Sequence, residues 1–271
     1  MLPSTKFVEP VERSLDSTFK FGCHKDISCF NKCCRNVDIL LTPYDILRIK
    51  KRLGISSDEL LKKYTEVHID ETSLHPFAVL KMMNEEEGKC PFSTPEGCNI
   101  YEDRPANCRY YPVGKGLMIK EGEKGPVPAE YYFFIKEPSC LGYEENKEWT
   151  IETWRIDQGL DLYDEMNKEW SEIQLRRDNP GQPKLDPNKQ PLIYMASYDQ
   201  DRFRKFVFES KVLDIFDIDH EEIEKMKTDE IALMKFGFKY LKYILMLEET
   251  LKVKEEYTKV AQPGDKVEGD A

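Results

Sequence analysis

Residues 23–54 read CHKDISCFNKCCRNVDILLTPYDILRIKKRLG and hold half of the eight cysteines in the 271-residue chain. Three more cysteines occur in residues 90–112, which read CPFSTPEGCNIYEDRPANCRYYP, and Cys140 follows in the turn EPSCLG. The chain has no cysteine after residue 140. This distribution predicts that thiols organise the first half of the fold and that the second half supports it.

The cysteines have the spacing and the surroundings of metal ligands. Thiolates a few residues apart on an irregular loop can converge on one soft metal ion or cluster. The second cysteine stretch is rich in proline, glycine and asparagine, which favours such a loop. We interpret all eight as candidate metal ligands: Cys23, Cys29, Cys33, Cys34, Cys90, Cys98, Cys108 and Cys140. They are enough for two four-thiolate sites, or for one site with spare thiols.

The metal itself is not decided by this pattern, because zinc sites and iron–sulfur clusters both use cysteine ligands. Eight cysteines and only 4 histidines favour an all-thiolate iron–sulfur centre. Zinc sites with four cysteine ligands keep zinc open as the alternative. His24 is a weaker candidate for a mixed zinc ligand, since it directly follows Cys23. The remaining histidines are expected to be structural or solvated: His68, His75 and His220.

Cys33 and Cys34 are neighbours, and adjacent side chains point in different directions in most backbones. We expect them to serve different centres, or one to be a ligand and the other a structural thiol. Three arginines lie within a few positions of cysteines and could offset thiolate charge and donate hydrogen bonds to sulfur: Arg35, Arg104 and Arg109. The alternative is that they are surface arginines paired with nearby carboxylates: Asp38, Glu102 or Asp103.

Charge and hydropathy exclude several classes of protein. The formal net charge is −11, whereas proteins that bind a nucleic-acid backbone concentrate lysine and arginine, so we expect no nucleic-acid partner. No run of about 18 apolar residues occurs, and residues 1–22 lack the apolar segment of a secretory signal. We therefore expect no membrane partner and a cytoplasmic location, where thiols stay reduced. A disulfide framework is the less favoured alternative.

Caps and apolar periodicity predict an α+β fold, with short strands and helices in the loop-rich cysteine region and a mainly helical C-terminal half. Thr42 as N-cap, Pro43 at the first position, Asp45 at the third and Gly54 at the end predict a helix; Ser56 begins a second. Strands are predicted at 18–21, 37–41, 77–83, 117–120 and 131–135. A proline-rich loop is predicted at 177–192. Further helices are predicted at 150–176, 199–212, 220–227 and 229–253.

These elements predict a metal-binding cysteine region at 1–145, a helical region at 146–257 packed on it, and a disordered tail at 258–271. In the last predicted helix, apolar residues recur at helical spacing: Ile231, Met234, Phe238, Leu241 and Leu245. Core packing is the favoured interpretation of this stripe. A homodimer through this helix is the alternative.

The two cysteine stretches resemble the YkgJ-type cysteine-cluster family, also described as the CxxCxxCC zinc- or iron-chelating domain. The resemblance is tight over residues 21–113. It departs at the opening, where Cys23-x5-Cys29-x3-Cys33 is wider than the usual spacing. The matching residues are Cys33, Cys34, Thr42, Pro43, Asp45, Cys90, Pro91, Cys98, Tyr101, Arg104, Pro105, Cys108, Arg109 and Pro112.

The resemblance implies metal or iron–sulfur binding and says little about a reaction. It also permits an enzyme, since flagellin lysine methylase includes a domain of this kind. The glycine-rich stretch GKGLMIKEGEKG does not follow a strand and open a helix, so we expect no nucleotide site. We predict an iron–sulfur protein in redox chemistry or electron transfer, acting with a redox partner protein. The alternatives are a structural zinc site and an enzyme that modifies a protein or small molecule at the metal centre.

Overall fold

A computed structural model of the protein describes residues 7–9, 11–83, 88–122, 125–177 and 184–258. It confirms an α+β fold in which short strands form small antiparallel sheets and the C-terminal half is mostly helical. The strands are β1 (Thr18–Lys20), β2 (Leu40–Leu41), β3 (Thr65–Ile69), β4 (Pro76–Leu80), β5 (Ser93–Thr94), β6 (Gly97–Cys98), β7 (Val113–Gly122), β8 (Gly125–Phe134), β9 (Glu148–Thr150), β10 (Phe216–Asp217) and β11 (Lys252–Val253). The helices are α1 (Pro43–Leu53), α2 (Ser57–Tyr64), α3 (Ala106–Tyr110), α4 (Ile151–Asp157), α5 (Leu160–Arg177), α6 (Gln190–Tyr198), α7 (Gln200–Glu209), α8 (Val212–Ile215), α9 (His220–Thr228), α10 (Glu230–Ile244) and α11 (Glu255–Thr258).

Helix α1 forms as its caps predict. The Thr42 side chain accepts from the Asp45 amide, and the Asp45 carboxylate accepts from the Thr42 amide, which completes a capping box. Gly54 ends the helix in the left-handed region at φ 66°. Ser56 caps α2 by accepting from the Glu59 amide.

Strand β4 lies at the centre of a three-stranded sheet, between β2 and β3. The sequence predicted β4, shifted by a few residues, but not β3, whose side chains are largely exposed. A strand without a buried face lacks the alternating pattern by which strands are recognised. β2 covers only the last two residues of its predicted range, 37–41.

Strands β7 and β8 form a two-stranded ribbon that runs from the Val113–Phe134 pair to the Gly122–Gly125 pair. The sequence predicted only the middle of one strand and the end of the other, because glycines interrupt the pattern. In the structure aromatic rings cover these glycines. A Cβ on Gly114 would lie 2.1 Å from the Phe133 ring, and one on Gly116 would lie 2.3 Å from the Tyr131 ring. Cross-strand aromatics can compensate for glycine in this way.

The long helix predicted at 150–176 is two helices, α4 and α5, which separate at Gly159. This glycine has φ +64°, a conformation that a continuous helix does not allow. The loop predicted at 177–192 also ends early, since Pro187–Lys189 forms a 3-10 turn and α6 begins at Gln190. Residues 178–183 of that prediction lie outside the described residues.

The last predicted helix ends at Ile244 and not at 253. Met246 adopts a left-handed φ of 55°, and the Thr250 hydroxyl donates to the Lys239 carbonyl at 2.6 Å. The chain therefore turns back along α10 and reaches β11. The predicted tail at 258–271 lies outside the described residues except for Thr258, which ends α11.

Helix α10 is buried within the protein's own core. Its fully buried residues pack with those of α1, α2, β4 and α6: Leu233, Met234, Phe236, Phe238 and Leu241. The core-packing interpretation is confirmed, and a homodimer through α10 stays a prediction that would have to use its remaining exposed side. A second, smaller core joins β1, the β7–β8 ribbon and α4 around Phe21 and Trp154. No helix among the described residues is both long and apolar enough to span a bilayer.

Candidate metal centre

The cysteines lie on loops and on short elements that the two cores hold in place. Cys23 and Cys29 follow β1, and Cys33 and Cys34 lie in a 3-10 turn, Lys32–Cys34. Cys90 precedes β5, while Cys98 lies in β6, Cys108 in α3, and Cys140 just before the turn Leu141–Glu144. All eight are free thiols.

A short antiparallel ladder joins the first cysteine stretch to the second. The Cys90 amide donates to the Cys34 carbonyl at 2.8 Å, and Arg35 pairs with Lys89 as a β-bridge. The Asn36 amide continues the ladder by donating to the Gly88 carbonyl at 2.8 Å. Cysteines more than fifty positions apart in sequence are therefore adjacent in the fold.

Asp45 connects the cap of α1 to the helix that carries Cys108. Its Oδ1 accepts from the Ala106 amide at 2.9 Å, while Oδ2 accepts from the Thr42 amide at 2.8 Å. One carboxylate thus caps both α1 and α3, which has no capping side chain of its own. Burial raises the pKa of Asp45 to about 6, although these amide donors oppose the rise. The sequence indicated only the first of these two roles.

Arg104 and Arg109 are buried, with 8% and 7% exposure, so the surface alternative is wrong for both. Arg109 donates to the backbone carbonyls of Arg104, at 3.1 Å, of Gln158, at 2.7 Å, and of Glu102. Arg104 donates to the Tyr101 carbonyl at 2.6 Å and to the Gln158 side chain. The hydrogen bonds of these two arginines therefore fix the backbone conformation around Cys108.

Their expected carboxylate partner is engaged elsewhere. Asp103 pairs with Arg48 at 2.5 Å and lies 3.9 Å from Arg52. Arg104 nevertheless lies close enough to Cys98 to favour its thiolate. Arg35, the third arginine, is exposed on the ladder beside the cysteines.

Three thiols, Cys90, Cys98 and Cys108, form what we term the inner thiol group. Burial raises the pKa of all three thiols. The pKa of Cys108, which is the most deeply placed, is further raised by Cys90 and Cys98. Backbone amides compensate in part. The Phe92 and Ser93 amides lower the pKa of Cys90, and the Ile100 amide lowers that of Cys98, each against the larger effect of burial.

Another three thiols, Cys23, Cys29 and Cys140, form the outer thiol group. Cys23 is exposed at the surface, but desolvation by the surrounding protein, followed by the neighbouring thiols, raises its pKa to about 11. The Leu141 amide donates to Cys29 Sγ at 3.3 Å. Burial also raises the pKa of Cys140, against the opposing effect of the Tyr111 hydroxyl and the Gly142 amide.

Cys33 lies between the two groups. Its hydrogen bond with Cys34, and then burial, raise its pKa. It acts electrostatically on Cys23 and Cys140 of the outer group and on Cys90 and Cys108 of the inner group. The adjacent pair is therefore located where each group could be completed to four thiols.

The donor chemistry fits a soft metal centre, because neighbouring thiolates in a buried setting repel one another unless a cation offsets their charge. Within the described residues, no three histidine, cysteine or acidic side chains are arranged as they stand to hold a metal ion. The Tyr111 hydroxyl, which the sequence did not single out, is buried beside Cys140 without a well-formed hydrogen bond. The sequence feature that could have identified Tyr111 is its position in the CRYYP segment.

The histidines do not join the thiol groups. His24 lies 3.5 Å from Glu145 and 4.0 Å from Asp26, and buried His75 lies 2.9 Å from the Gln174 amide nitrogen. His68 is half-buried in β3, and His220 is exposed at the start of α9.

The family model CxxCxxCC, described as "Putative zinc- or iron-chelating domain", matches residues 22–147. No curated protein matches the chain, and no solved structure matches it. The matched range contains all eight cysteines together with Asp45, Arg104 and Arg109. Residues 22–147 of this chain therefore match the model of the CxxCxxCC family that its cysteine pattern resembles.

Proposed function

We propose that the cysteines bind an iron–sulfur centre and that the protein has a redox or electron-transfer role. The family description supports metal binding in general, of zinc or of iron. The preference for iron–sulfur comes from the donor set, in which eight candidate ligands are thiols, while His24, the one histidine next to a cysteine, contacts Glu145 and Asp26.

The observation that carries this proposal is the set of backbone amides directed at sulfur. The Leu141 amide donates such a hydrogen bond to Cys29, and the amides beside Cys90, Cys98 and Cys140 act on these sulfurs so as to lower the thiol pKa. An N–H donor stabilises a thiolate over a thiol, and hydrogen bonds to sulfur adjust the reduction potential of a cluster. These amides oppose the effect of burial, which on balance raises the pKa of Cys90, Cys98 and Cys140.

We further propose two centres. The inner thiol group would use Cys90, Cys98 and Cys108 with one member of the Cys33–Cys34 pair, and the outer thiol group would use the other member. Two centres of four thiolates account for all eight cysteines, and the position of Cys33 between the groups supports this division. When bound, the clusters would supply one-electron chemistry, and the chain's amides and buried arginines would hold the thiolates in place.

The test is metal and acid-labile sulfide content on protein purified without oxygen, together with its visible spectrum. Iron, sulfide and a broad band at about 400 nm that dithionite bleaches are expected for a redox-active cluster. Zinc in a colourless protein would overturn the redox role and leave the alternative, a structural zinc site.

The division into two centres is tested by paired substitutions. Cys98→Ser in the inner group and Cys140→Ser in the outer group should each remove about half of the bound metal, because each leaves one four-thiolate set complete. Loss of all metal from both variants would contradict two independent centres. Retention of all metal by either variant would remove that cysteine from the ligand set.

The structural zinc alternative rests on the deep position of Cys108, whose helix α3 is fastened by Asp45 and Arg109. The variant Cys108→Ser distinguishes a structural zinc site from a redox centre. Global unfolding would support a structural metal, whereas a folded protein without its redox signal would support chemistry. We place the protein in the cytosol, where its thiols would remain reduced, and expect a redox partner protein there.

A further inference from the structure

Tyr111 connects the end of α3 to the outer thiol group. Its amide donates to the Asn107 carbonyl at 3.3 Å, where the helix ends. Its ring meets the edge of the buried Phe21 ring, with 6.0 Å between the two ring centres. Tyr111 and Cys140 both pack against the smaller core that contains Phe21. This packing fixes the tyrosine ring beside the Cys140 thiol.

The hydroxyl of Tyr111 has a hydrogen that the described residues leave without a well-aligned acceptor. The hydroxyl oxygen is buried and forms no well-formed hydrogen bond with any of them. Burial raises the pKa of Cys140, and the nearby Tyr111 hydroxyl acts against that rise. Burial is also the main reason that the pKa of Tyr111 is raised, so the hydroxyl keeps its proton. A buried donor without an acceptor costs free energy, which favours a state of Cys140 that accepts more strongly.

Metal binding would supply that state, because a cysteine ligand is a thiolate. The sulfur of a thiol is a weak acceptor, whereas an ionised acceptor forms shorter and stronger hydrogen bonds. The Gly142 amide already acts on Cys140 in the direction that favours the thiolate. The Tyr111 hydroxyl would therefore be a second donor to the same sulfur.

We propose that Tyr111 is a positioning residue of the outer metal centre, whose hydroxyl donates a hydrogen bond to the Cys140 thiolate when metal is bound. The inference rests on the proposed function in that Cys140 must be a ligand, but it applies to zinc and to an iron–sulfur cluster alike. The bond would fix the orientation of the ligand. In a cluster it would also raise the reduction potential, because a donor stabilises the added negative charge of the reduced state.

Tyr143 provides a matched control in the same aromatic surroundings. Its ring centre lies 5.4 Å from that of Phe21, and burial followed by the charge of Cys140 raises its pKa. Its hydroxyl, however, donates to the Ile135 carbonyl at 3.1 Å and to the Pro112 carbonyl at 3.4 Å. Tyr143→Phe therefore removes a hydroxyl near the thiol without removing a donor to sulfur.

The test is the absorption spectrum of the full-length protein loaded with cobalt(II) without oxygen. The charge-transfer band of a cobalt-bound thiolate depends on the electron density at sulfur. Tyr111→Phe keeps the ring and should shift this band to lower energy, because the sulfur loses a donor, whereas Tyr143→Phe should leave the band unchanged. An unchanged band in Tyr111→Phe, or equal shifts in the two variants, would overturn the proposal.

Cys140→Ser, measured alongside, distinguishes failure of this inference from failure of the proposed ligand set. Unchanged cobalt content and spectrum in Cys140→Ser would remove Cys140 from the ligands, and the hydrogen bond would fall with it. A changed spectrum in Cys140→Ser together with an unchanged one in Tyr111→Phe would overturn the hydrogen bond alone.

A second measurement applies if the purified protein contains an iron–sulfur cluster. Tyr111→Phe should lower the equilibrium constant for reduction of the outer cluster by about fivefold in a potentiometric titration, since one hydrogen bond to sulfur is lost. Tyr143→Phe should retain the wild-type value. An unchanged potential in Tyr111→Phe would overturn the effect of the hydroxyl on the cluster.

Discussion

Arg109 shows at the scale of one residue how the site is held. The sequence indicated a cation near Cys108, which could have offset thiolate charge. The guanidinium instead divides its donors among three backbone carbonyls, while its carbon lies 4.4 Å from the centre of the Tyr163 ring. A guanidinium offers five N–H donors in a fixed planar fork, whereas an ammonium offers three from a single nitrogen.

Arg109→Lys should therefore destabilise the protein although it preserves the charge. We expect the free energy of unfolding to fall by about 2–4 kcal/mol, because buried carbonyls lose charge-assisted donors. Urea unfolding followed by circular dichroism measures the change. Arg52→Lys on the exposed end of α1 is the control, with an expected change within about 0.5 kcal/mol. Equal midpoints for the two variants would contradict this role of Arg109.

Lys50 joins four helices at the scale of the secondary-structure elements. It projects from α1 and pairs with Asp201 of α7 at 2.9 Å and with Glu230 of α10 at 2.6 Å. Asp201 also accepts from the Ser57 amide of α2 at 2.6 Å. These bonds therefore connect helices α1 and α2, which were predicted from local sequence, to helices some 150 residues later in the chain.

Lys50→Met should cost about 2–3 kcal/mol of stability, because it leaves two carboxylates close together without their cation. The loss is smaller than for a fully buried pair, since both carboxylates remain partly exposed. Thermal and urea unfolding measure it. The matched control is Lys62→Met, which breaks only an exposed pair with Asp58 and should cost at most about 0.5 kcal/mol. Equal losses would show that the buried network adds nothing.

Asp201 should contribute to acid denaturation. Burial opposes its ionisation, but the Ser57 amide and Lys50 outweigh that effect, so its pKa is lowered from 3.8. A lowered folded-state pKa gives stability that is present above the unfolded-state pKa and is lost as the pH falls through the folded-state value. Asp201→Asn should remove this part of the stability loss below about pH 4, by less than about 1 kcal/mol given its exposure. An acid limb for Asp201→Asn that is identical to that of the wild type would contradict the assignment.

The two halves share one hydrophobic core at the scale of the whole molecule. Residues of the family domain such as Ile46 and Leu60 belong to the same buried cluster as Phe203 and Phe236 of the C-terminal helices. The predicted division into regions at 1–145 and 146–257 follows the chain and the cysteines. Because side chains pack across that boundary, we expect a change at the thiols to alter the stability of both regions.

Removal of the metal should therefore lower the Tm of the whole chain. We expect a single transition that shifts by about 5–10 °C, because a bound metal stabilises only the folded state. Calorimetry before and after treatment with a chelator under reducing conditions measures the shift. Reconstitution with the metal should restore the Tm. A separate transition for residues 22–147, with the rest unchanged, would contradict the shared core.

The sequence by itself determined the features that depend on local chemistry. Thr42, Pro43 and Gly54 define α1 because capping acts within a few residues. The eight cysteines and the motif around them determined the resemblance to the CxxCxxCC family, since the spacing of the cysteines is a property of the sequence. The α+β class and the buried stripe of α10 followed from periodicity.

Only the tertiary structure decided which distant groups meet. The division of the cysteines into inner and outer groups depends on the ladder between Cys34 and Cys90, which are far apart in sequence. The second role of Asp45 depends on Ala106, and the end of α10 depends on Thr250 returning to Lys239. Periodicity and caps report each residue's neighbours along the chain. Burial and long-range hydrogen bonds are set by the packing of the whole molecule, and for that reason no local pattern revealed these contacts.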